Sequence, residues 1–362
     1  MIDELYISKS FCCIGRNTKN CLGCAFCRVS QNNTEFEYSC LPSKINKNFI
    51  NLPISINLFY GDPLIQRDKT LKYLHKLEKE NHKGPVVIIT KGELLDFDLP
   101  NDINLDLHLA FSTFGIDHEF DRYSNKRLSY NLRVANFRKY KYHKSIEFRP
   151  ICYGINDSFE TIKNVFSIAK DFNIAIGYSG LQGIPEVVKY WEESNIDLKP
   201  YPGFKFGHKK SISNDVQQIF DELSDLYNIP IFRKTSCLIS YTHDLERDYN
   251  AHYYRPTEMN CEKCVMKDKC FGFKNNQPTD IKHLIPFDFE IKMKTNHECI
   301  LKKKGICEFP SDDCSRISGN ILVIKEKLTT ADVRVIKWLT GFTVDADFYE
   351  SSLLNDKWRM KK

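Results

Sequence analysis

Residues 145–179, SIEFRPICYGINDSFETIKNVFSIAKDFNIAIGYS, contain a whole supersecondary unit. SIEFRPICY (145–153) and NIAIGYS (173–179) are short runs rich in β-branched and aromatic residues, each long enough for one strand. Between them Phe159, Ile162, Phe166 and Ala169 repeat at the helical period, and Asp157 followed by Glu160 reads as a capping box. Two strands joined through a helix form a βαβ unit, whose strands lie parallel.

The alternation extends both ways along the chain. Further strand candidates are ELYIS (4–8), ISINLFYG (54–61), PVVIITK (85–91), LHLAFSTF (107–114) and IPIFRK (229–234). Leu71, Leu74 and Leu77 line a helix near 66–80, and Leu128, Leu132 and Ala135 line one near 126–140. Val216, Phe220 and Leu223 mark another near 214–227. Residues 4 to about 235 therefore read as an α/β domain with a parallel sheet, either doubly wound or curled into a partial barrel. Local pattern does not choose between these. Beyond about 236 the alternation fails. Residues 236–275 are polar, aromatic and cysteine-bearing, and 276–362 read as a small α+β extension. There ILVIKEKL (321–328) is a strand, and Thr330 caps a helix carrying Val333, Ile336 and Leu339, stopped by Gly341.

In either architecture ligands gather at the carboxyl ends of the strands. Polar residues and glycines collect there: Gly61-Asp62-Pro63, Lys91-Gly92, Ser112-Thr113, Arg149 and Tyr153, and Gly177, Ser179 and Gly180. An unpaired charge within a strand is costly, so Arg149 needs a carboxylate or phosphate partner. Lys91 ends an apolar strand and is either solvated or a ligand contact. His108 reads as packed, and Cys152 as a buried free thiol. The basic, aromatic run RKYKYHK (138–144) reads as an exposed helix end, with nucleic-acid contact as the alternative.

The 362-residue chain is 42% hydrophobic and 27% charged, as in ordinary soluble proteins. Its net charge of +5 suits an acidic substrate or nucleic acid without demanding either. No stretch approaches the length of a membrane-spanning helix, and MIDELYISKS lacks the basic and apolar regions of a signal peptide. The expected compartment is the reducing cytoplasm, where fourteen cysteines read as metal ligands or catalytic thiols before disulfides. Cys21, Cys24 and Cys27 let one tight loop turn three thiolates inward, as zinc or an iron–sulfur cluster requires. Cys261, Cys264 and Cys270 form a second set of the same kind. Cys237, His252, Cys299, Cys307 and Cys314 are open as its fourth ligand.

A cysteine loop after the first strand, ending Cys24-Ala25-Phe26-Cys27, and Phe59-Tyr60-Gly61-Asp62-Pro63 after the second, resemble the radical S-adenosylmethionine superfamily over about residues 4–185. VIITKGELL (87–95), Arg127-Leu128 and FRPICYGIND (148–157) are similar to the branch that includes spore photoproduct lyase. The resemblance implies a partial (β/α)6-type parallel barrel over 1–235, an auxiliary metal-binding segment over 236–275 and a small extension over 276–362. It implies a [4Fe–4S] cluster on Cys21, Cys24 and Cys27 that chelates S-adenosylmethionine. Tyr60, Gly61 and Asp62 would meet the methionine amino group, Ser112 and Arg149 the ribose or carboxylate, and Gly177 to Gly183 the adenine. Lys91 would add a further contact.

Reductive cleavage, fed by a donor such as flavodoxin or ferredoxin, would give a 5′-deoxyadenosyl radical that takes hydrogen from a substrate. Nucleic acid, a peptide and a small metabolite are all open as that substrate. The 261–270 site would hold a second iron–sulfur cluster or zinc. The superfamily's usual first spacing is one residue longer than Cys21-x2-Cys24, which leaves Cys13 as the alternative first ligand. The reading from another class is a zinc-stabilised nucleic-acid-binding protein without catalysis.

Overall fold

The computed structural model describes residues 7–9, 53–56, most of 63–92, 103–115, most of 130–248, 261–275, 289–293, 320–329 and parts of 336–349. The chain divides into two units. One comprises Ser8–Ser39 and Ile50–His243; the other comprises Met1–Ile7, Cys40–Phe49 and Asp244–Lys362.

The first unit is built on a sheet of seven strands: β1 (Ile7–Lys9), β2 (Ile54–Ile56), β3 (Val86–Thr90), β4 (Leu107–Thr113), β5 (His143–Ile151), β6 (Ile176–Gly180) and β7 (Ile231–Phe232). They lie side by side in chain order, and each described pairing from β2 to β7 is parallel. A doubly wound sheet reverses its strand order at a switch point. This sheet has no reversal, and its α/β order is compatible with a partial barrel. The helices are α1 (Arg67–Lys79), α2 (Tyr130–Lys139), α3 (Phe159–Phe172), α4 (Pro185–Glu193), α5 (Asn214–Tyr227) and α6 (Thr235–Thr242).

Side-chain alternation along the strands separates two faces. On one face Phe111 of β4 stacks on Phe137 of α2, with ring centroids 5.1 Å apart. Phe148 of β5, Tyr178 of β6 and Phe166 of α3 all surround Phe220 of α5, and Tyr178 stacks on it at 4.0 Å. The crossover helices α2, α3 and α5 thus share this face. The alternate positions, among them Arg149 and Gly177, face α6. That helix buries Thr235, Ser236, Leu238, Ile239 and Ser240.

Helix ends follow local chemistry. Ser213 caps α5 by accepting from the Val216 amide, and Val216, Phe220 and Leu223 are its buried stripe. Left-handed asparagines, Asn81, Asn173, Asn195 and Asn228, follow α1, α3, α4 and α5. Asparagine tolerates this conformation and lets the chain close back on the last turn, as when the Ile174 and Ile229 amides donate to Ala169 and Ser224.

Four expectations need correction. The cap of α3 is Ser158, whose hydroxyl accepts from the Thr161 amide. Asp157 instead accepts from the Gly154 amide at 3.0 Å and holds the preceding turn. Phe159 lies outside the buried stripe of α3 at 41% exposure, and Val165 joins Ile162, Phe166 and Ala169 there. In α2, Leu132 and Ala135 are exposed while Arg133, Asn136 and Phe137 are buried. Phe137 sets that phase by packing on both Phe111 and Phe172. β7 spans two residues rather than six, because α6 begins at Thr235.

The second unit contains a 3-10 turn at Cys261–Lys263, helix α7 (Lys267–Asn275) and the strands β8 (Phe289–Met293), β9 (Asn320–Thr329) and β10 (Thr343–Tyr349). Their sheet order is β10-β9-β8, with β8 antiparallel and β10 parallel to β9. A parallel neighbour requires a crossover. Ile336, Leu339 and Thr340 are helical within it, and Ile336 and Thr340 are fully buried. Thr330 and Gly341 lie outside the described residues.

His82, between α1 and β3, is buried, and its Nε2 has no hydrogen-bond partner among the described residues. Burial pushes its pKa down from 6.5 to about 4, against a weaker opposing backbone hydrogen bond at Gly84. Between these values the unfolded chain binds a proton that the folded chain refuses, so stability rises with pH. Chemical denaturation should show wild type losing at most about 1.4 kcal/mol per pH unit from this residue as pH falls from 6.5 toward 4. His82→Leu should flatten that part of the curve; an unchanged slope would refute the assignment.

Candidate functional site

Ser112, Glu147 and Gly177 are register partners across β4, β5 and β6. They form one row across the sheet, at the last residue but one of β4, the middle of β5 and the second residue of β6. By the alternation of β3, where Ile89 pairs with Ala110, Lys91 falls on the same face. Four residues singled out from the sequence therefore cluster here: Lys91, Ser112, Gly177 and, two residues beyond Glu147, Arg149. Lys91 is 7% exposed, which excludes the solvated reading.

Glu147 was not anticipated. Its carboxylate is 2% exposed and forms an ion pair with the Arg149 guanidinium. Arg149 also donates to the Thr235 hydroxyl at 2.5 Å. The carboxylate partner that Arg149 requires is thus internal. Gly177 is where a side chain would collide: a Cβ would sit 2.7 Å from Glu147 Oε2 and 2.9 Å from Leu238 Cδ2. Its lack of a side chain makes room for the buried acid. The sequence signal was present, since Ser145, Glu147 and Arg149 alternate with the apolar Ile146 and Phe148 and so put polar groups on one face of the strand.

Just beyond, Asn156 ties the strand ends together. It is fully buried, its Oδ1 accepts from the Cys152 amide at 2.6 Å, and its Nδ2 donates to the carbonyls of Phe114 and Pro150 at 2.9 Å. The loop after β5 is thereby fixed to the end of β4. Cys152 packs in an apolar cluster with Phe114, Trp191 and Leu198, and burial pushes its thiol pKa far up. This fits the packed thiol.

A small, open pocket of about 20 Å³ lies at the ends of β5 and β6, lined in part by Tyr153, Tyr201, Phe204, Phe206, Lys199 and Lys205. Glycines allow its far wall to approach. A Cβ on Gly180 would fall 1.9 Å from the Ser211 carbonyl oxygen, and one on Gly183 2.5 Å from the Phe206 ring. The stretch KPYPGFKF (199–206), alternating aromatics with lysines, was the overlooked signal.

In the second unit Cys261 and Cys264 share one turn, with the Cys264 amide donating to the Cys261 carbonyl at 3.1 Å, and Cys270 lies on α7. The three sulfurs do not all lie within 4.8 Å of one another. Thiolates on one tetrahedral zinc sit roughly 3.8 Å apart. Burial raises the pKa of Cys264, and it pushes Cys270 to about 12, with the Asp248 charge and the Cys264 thiol adding to the rise. Both thiols are protonated at neutral pH, so metal binding here would release protons. Cys237 lies on α6 of the first unit.

RKYKYHK (138–144) forms the end of α2 and the start of β5. Tyr140 is buried, Arg138 pairs with Asp171, and Lys144 lies over the rings of Phe137 and Phe172. These contacts are internal, at the amino end of the strands. Cys21, Cys24, Cys27, Tyr60, Gly61 and Asp62 lie outside the described residues, as do His252, Cys299, Cys307 and Cys314.

No protein-family model matches the chain, and no curated protein matches it.

Gly177→Ala should destabilise the fold by about 1–3 kcal/mol through overpacking against Glu147 and Leu238. In a Glu147→Ala background the same change should cost clearly less, because the two sites share one space. Equal costs in both backgrounds, measured by denaturation, would contradict the packing role given to Gly177.

Proposed function

We propose that the chain is a radical S-adenosylmethionine enzyme with its chemistry at the carboxyl ends of a partial (β/α) barrel. The reading rests on one juxtaposition. In sequence the cysteine loop follows β1, the first strand of a consecutively ordered sheet, and Lys91 and Ser112, in one polar row with Glu147 and Gly177, stand at the carboxyl ends of β3 and β4.

Three thiolates in a short loop suit a [4Fe–4S] cluster that leaves one iron for a small ligand. Held by Cys21, Cys24 and Cys27, such a cluster would supply the electron for reductive cleavage of S-adenosylmethionine. The protein's own part is binding and orientation. Ser112 offers a hydroxyl on the ligand face, and Lys91 is a buried side chain just past the end of β3. Arg149, already neutralised by Glu147, orders the wall of the site instead of contributing a free charge.

The pocket favours nucleic acid over a peptide or small metabolite as substrate. Tyr153 and Phe204 are exposed, at 42% and 44%, beside Lys199 and Lys205. Aromatic faces for bases with cations for phosphates are what single-stranded nucleic acid requires. The protonated thiols at Cys264 and Cys270 support an auxiliary metal site only on the condition that the metal displaces their protons.

The test is anaerobic incubation of the reduced full chain with dithionite and S-adenosylmethionine. Wild type should release 5′-deoxyadenosine, and Cys24→Ala/Cys27→Ala should not. Absence of product from iron-loaded wild type would refute the radical reading. Phe204→Ala should weaken binding of a single-stranded oligonucleotide roughly 5- to 100-fold without abolishing 5′-deoxyadenosine formation. Unchanged oligonucleotide binding would return the substrate to the peptide or metabolite class.

A further inference from the structure

At the opposite edge of the sheet, where the strands begin, four polar side chains converge. They are Asp106 just ahead of β4, His108 on β4, His143 at the start of β5 and His243 at the end of α6. Asp106 Oδ2 lies 3.0 Å from His243 Nδ1, and Asp106 Oδ1 lies 3.6 Å from His143 Nε2. One donor atom from each of these three residues lies within 4.8 Å of the others. The imidazoles of His143 and His243 are 4.6 Å apart between centroids.

We propose that Asp106, His143 and His243 form a divalent-metal site of the zinc type, which fastens the end of α6 to the amino ends of β4 and β5. Two nitrogens and one carboxylate oxygen are a donor set for such a metal, and three protein ligands leave a position for water. Ligands about 2.0–2.2 Å from a tetrahedral zinc stand roughly 3.3–3.6 Å apart, and His243 and His143 lie 3.0 and 3.6 Å from the two different oxygens of Asp106. At 3.6 Å His143 and Asp106 are too far apart to share a good hydrogen bond. Their approach is nevertheless close enough for both to reach one ion.

The surroundings support a ligating His243. Its other nitrogen, Nε2, is 3.1 Å from His108 Nδ1, and His108 Nε2 is 2.7 Å from the Ser145 hydroxyl. Without an ion, His243 Nδ1–H donates to Asp106 Oδ2; with one bound, His243 can instead donate its Nε2–H to His108, which donates in turn to Ser145, and so free Nδ1 to ligate. Metal-bound histidines are oriented by such outer hydrogen bonds. His143 and Asp106 are 54% and 40% exposed on their side chains, which gives the ion a route in.

The test is an anaerobic Co²⁺ titration of the reduced, metal-stripped full chain. Wild type should bind one equivalent more than His143→Ala or Asp106→Asn. The difference spectrum should show cobalt bands without a thiolate-to-metal charge-transfer band, which separates this site from the cysteines. Zn²⁺ should raise the melting temperature of wild type more than that of either variant. Equal stoichiometry in all three proteins, or a thiolate band in the difference, overturns the proposal. Should a variant fail to fold, ¹⁵N-histidine spectra of wild type decide: Zn²⁺ must shift His243 Nδ1 and His143 Nε2, and unshifted signals overturn it.

Discussion

The buried carboxylate of Glu147, at the middle of β5, constrains how β5, β6 and α6 meet. An ionised carboxylate taken out of water costs several kcal/mol unless it is paired. Arg149, two residues on and so on the same face, supplies the pair. Gly177 on the neighbouring strand gives up its side chain to make room. Thr235 orients the arginine from the first turn of α6, and Leu238 closes over the glycine from the next turn. The position of α6 is thus tied to one acid on β5.

With α6 so placed, the two ends of the sheet take on different work. At the carboxyl end Asn156 holds two strand ends in register, and the 199–211 segment packs closely over Gly180 and Gly183 to shape the aromatic, basic pocket. At the amino end α6 delivers His243 to Asp106, His143 and His108. In parallel α/β folds the carboxyl ends carry ligands and the amino ends carry stability. A zinc-type ion at the amino end and a radical cofactor at the carboxyl end would share one scaffold without sharing ligands.

Much of the scaffold was legible in the sequence. Helix α5 was plain because Val216, Phe220 and Leu223 form an aliphatic and aromatic stripe whose phase matches what is buried. The strands were plain because a sheet covered on both faces needs near-continuous apolar runs. α2 misled because its leucine and alanine point outward. Its phase is set by Phe137 meeting Phe111 and Phe172, from segments 26 and 35 residues away in sequence. The choice between a doubly wound sheet and a consecutive one rests on strand order, which no local pattern encodes.

At the sites, Ser112 was found by its place near the end of β4, whereas Gly177, read as closing β6, is that strand's second residue. Glu147 was missed because its burial is decided by β6 and α6. The histidine cluster was missed because His108 and His243 stand 135 residues apart and meet only when α6 lies against the sheet.

The radical enzyme proposed above requires that the thiolates of the cysteine loop hold iron and sulfide. The direct measurement is iron and acid-labile sulfide in the anaerobically purified full chain, beside Cys24→Ala/Cys27→Ala. About four or more irons per chain, with about four lost in the variant, is the predicted result. Zinc with no iron, even after anaerobic reconstitution, would contradict the account and leave a zinc-stabilised binding protein in its place.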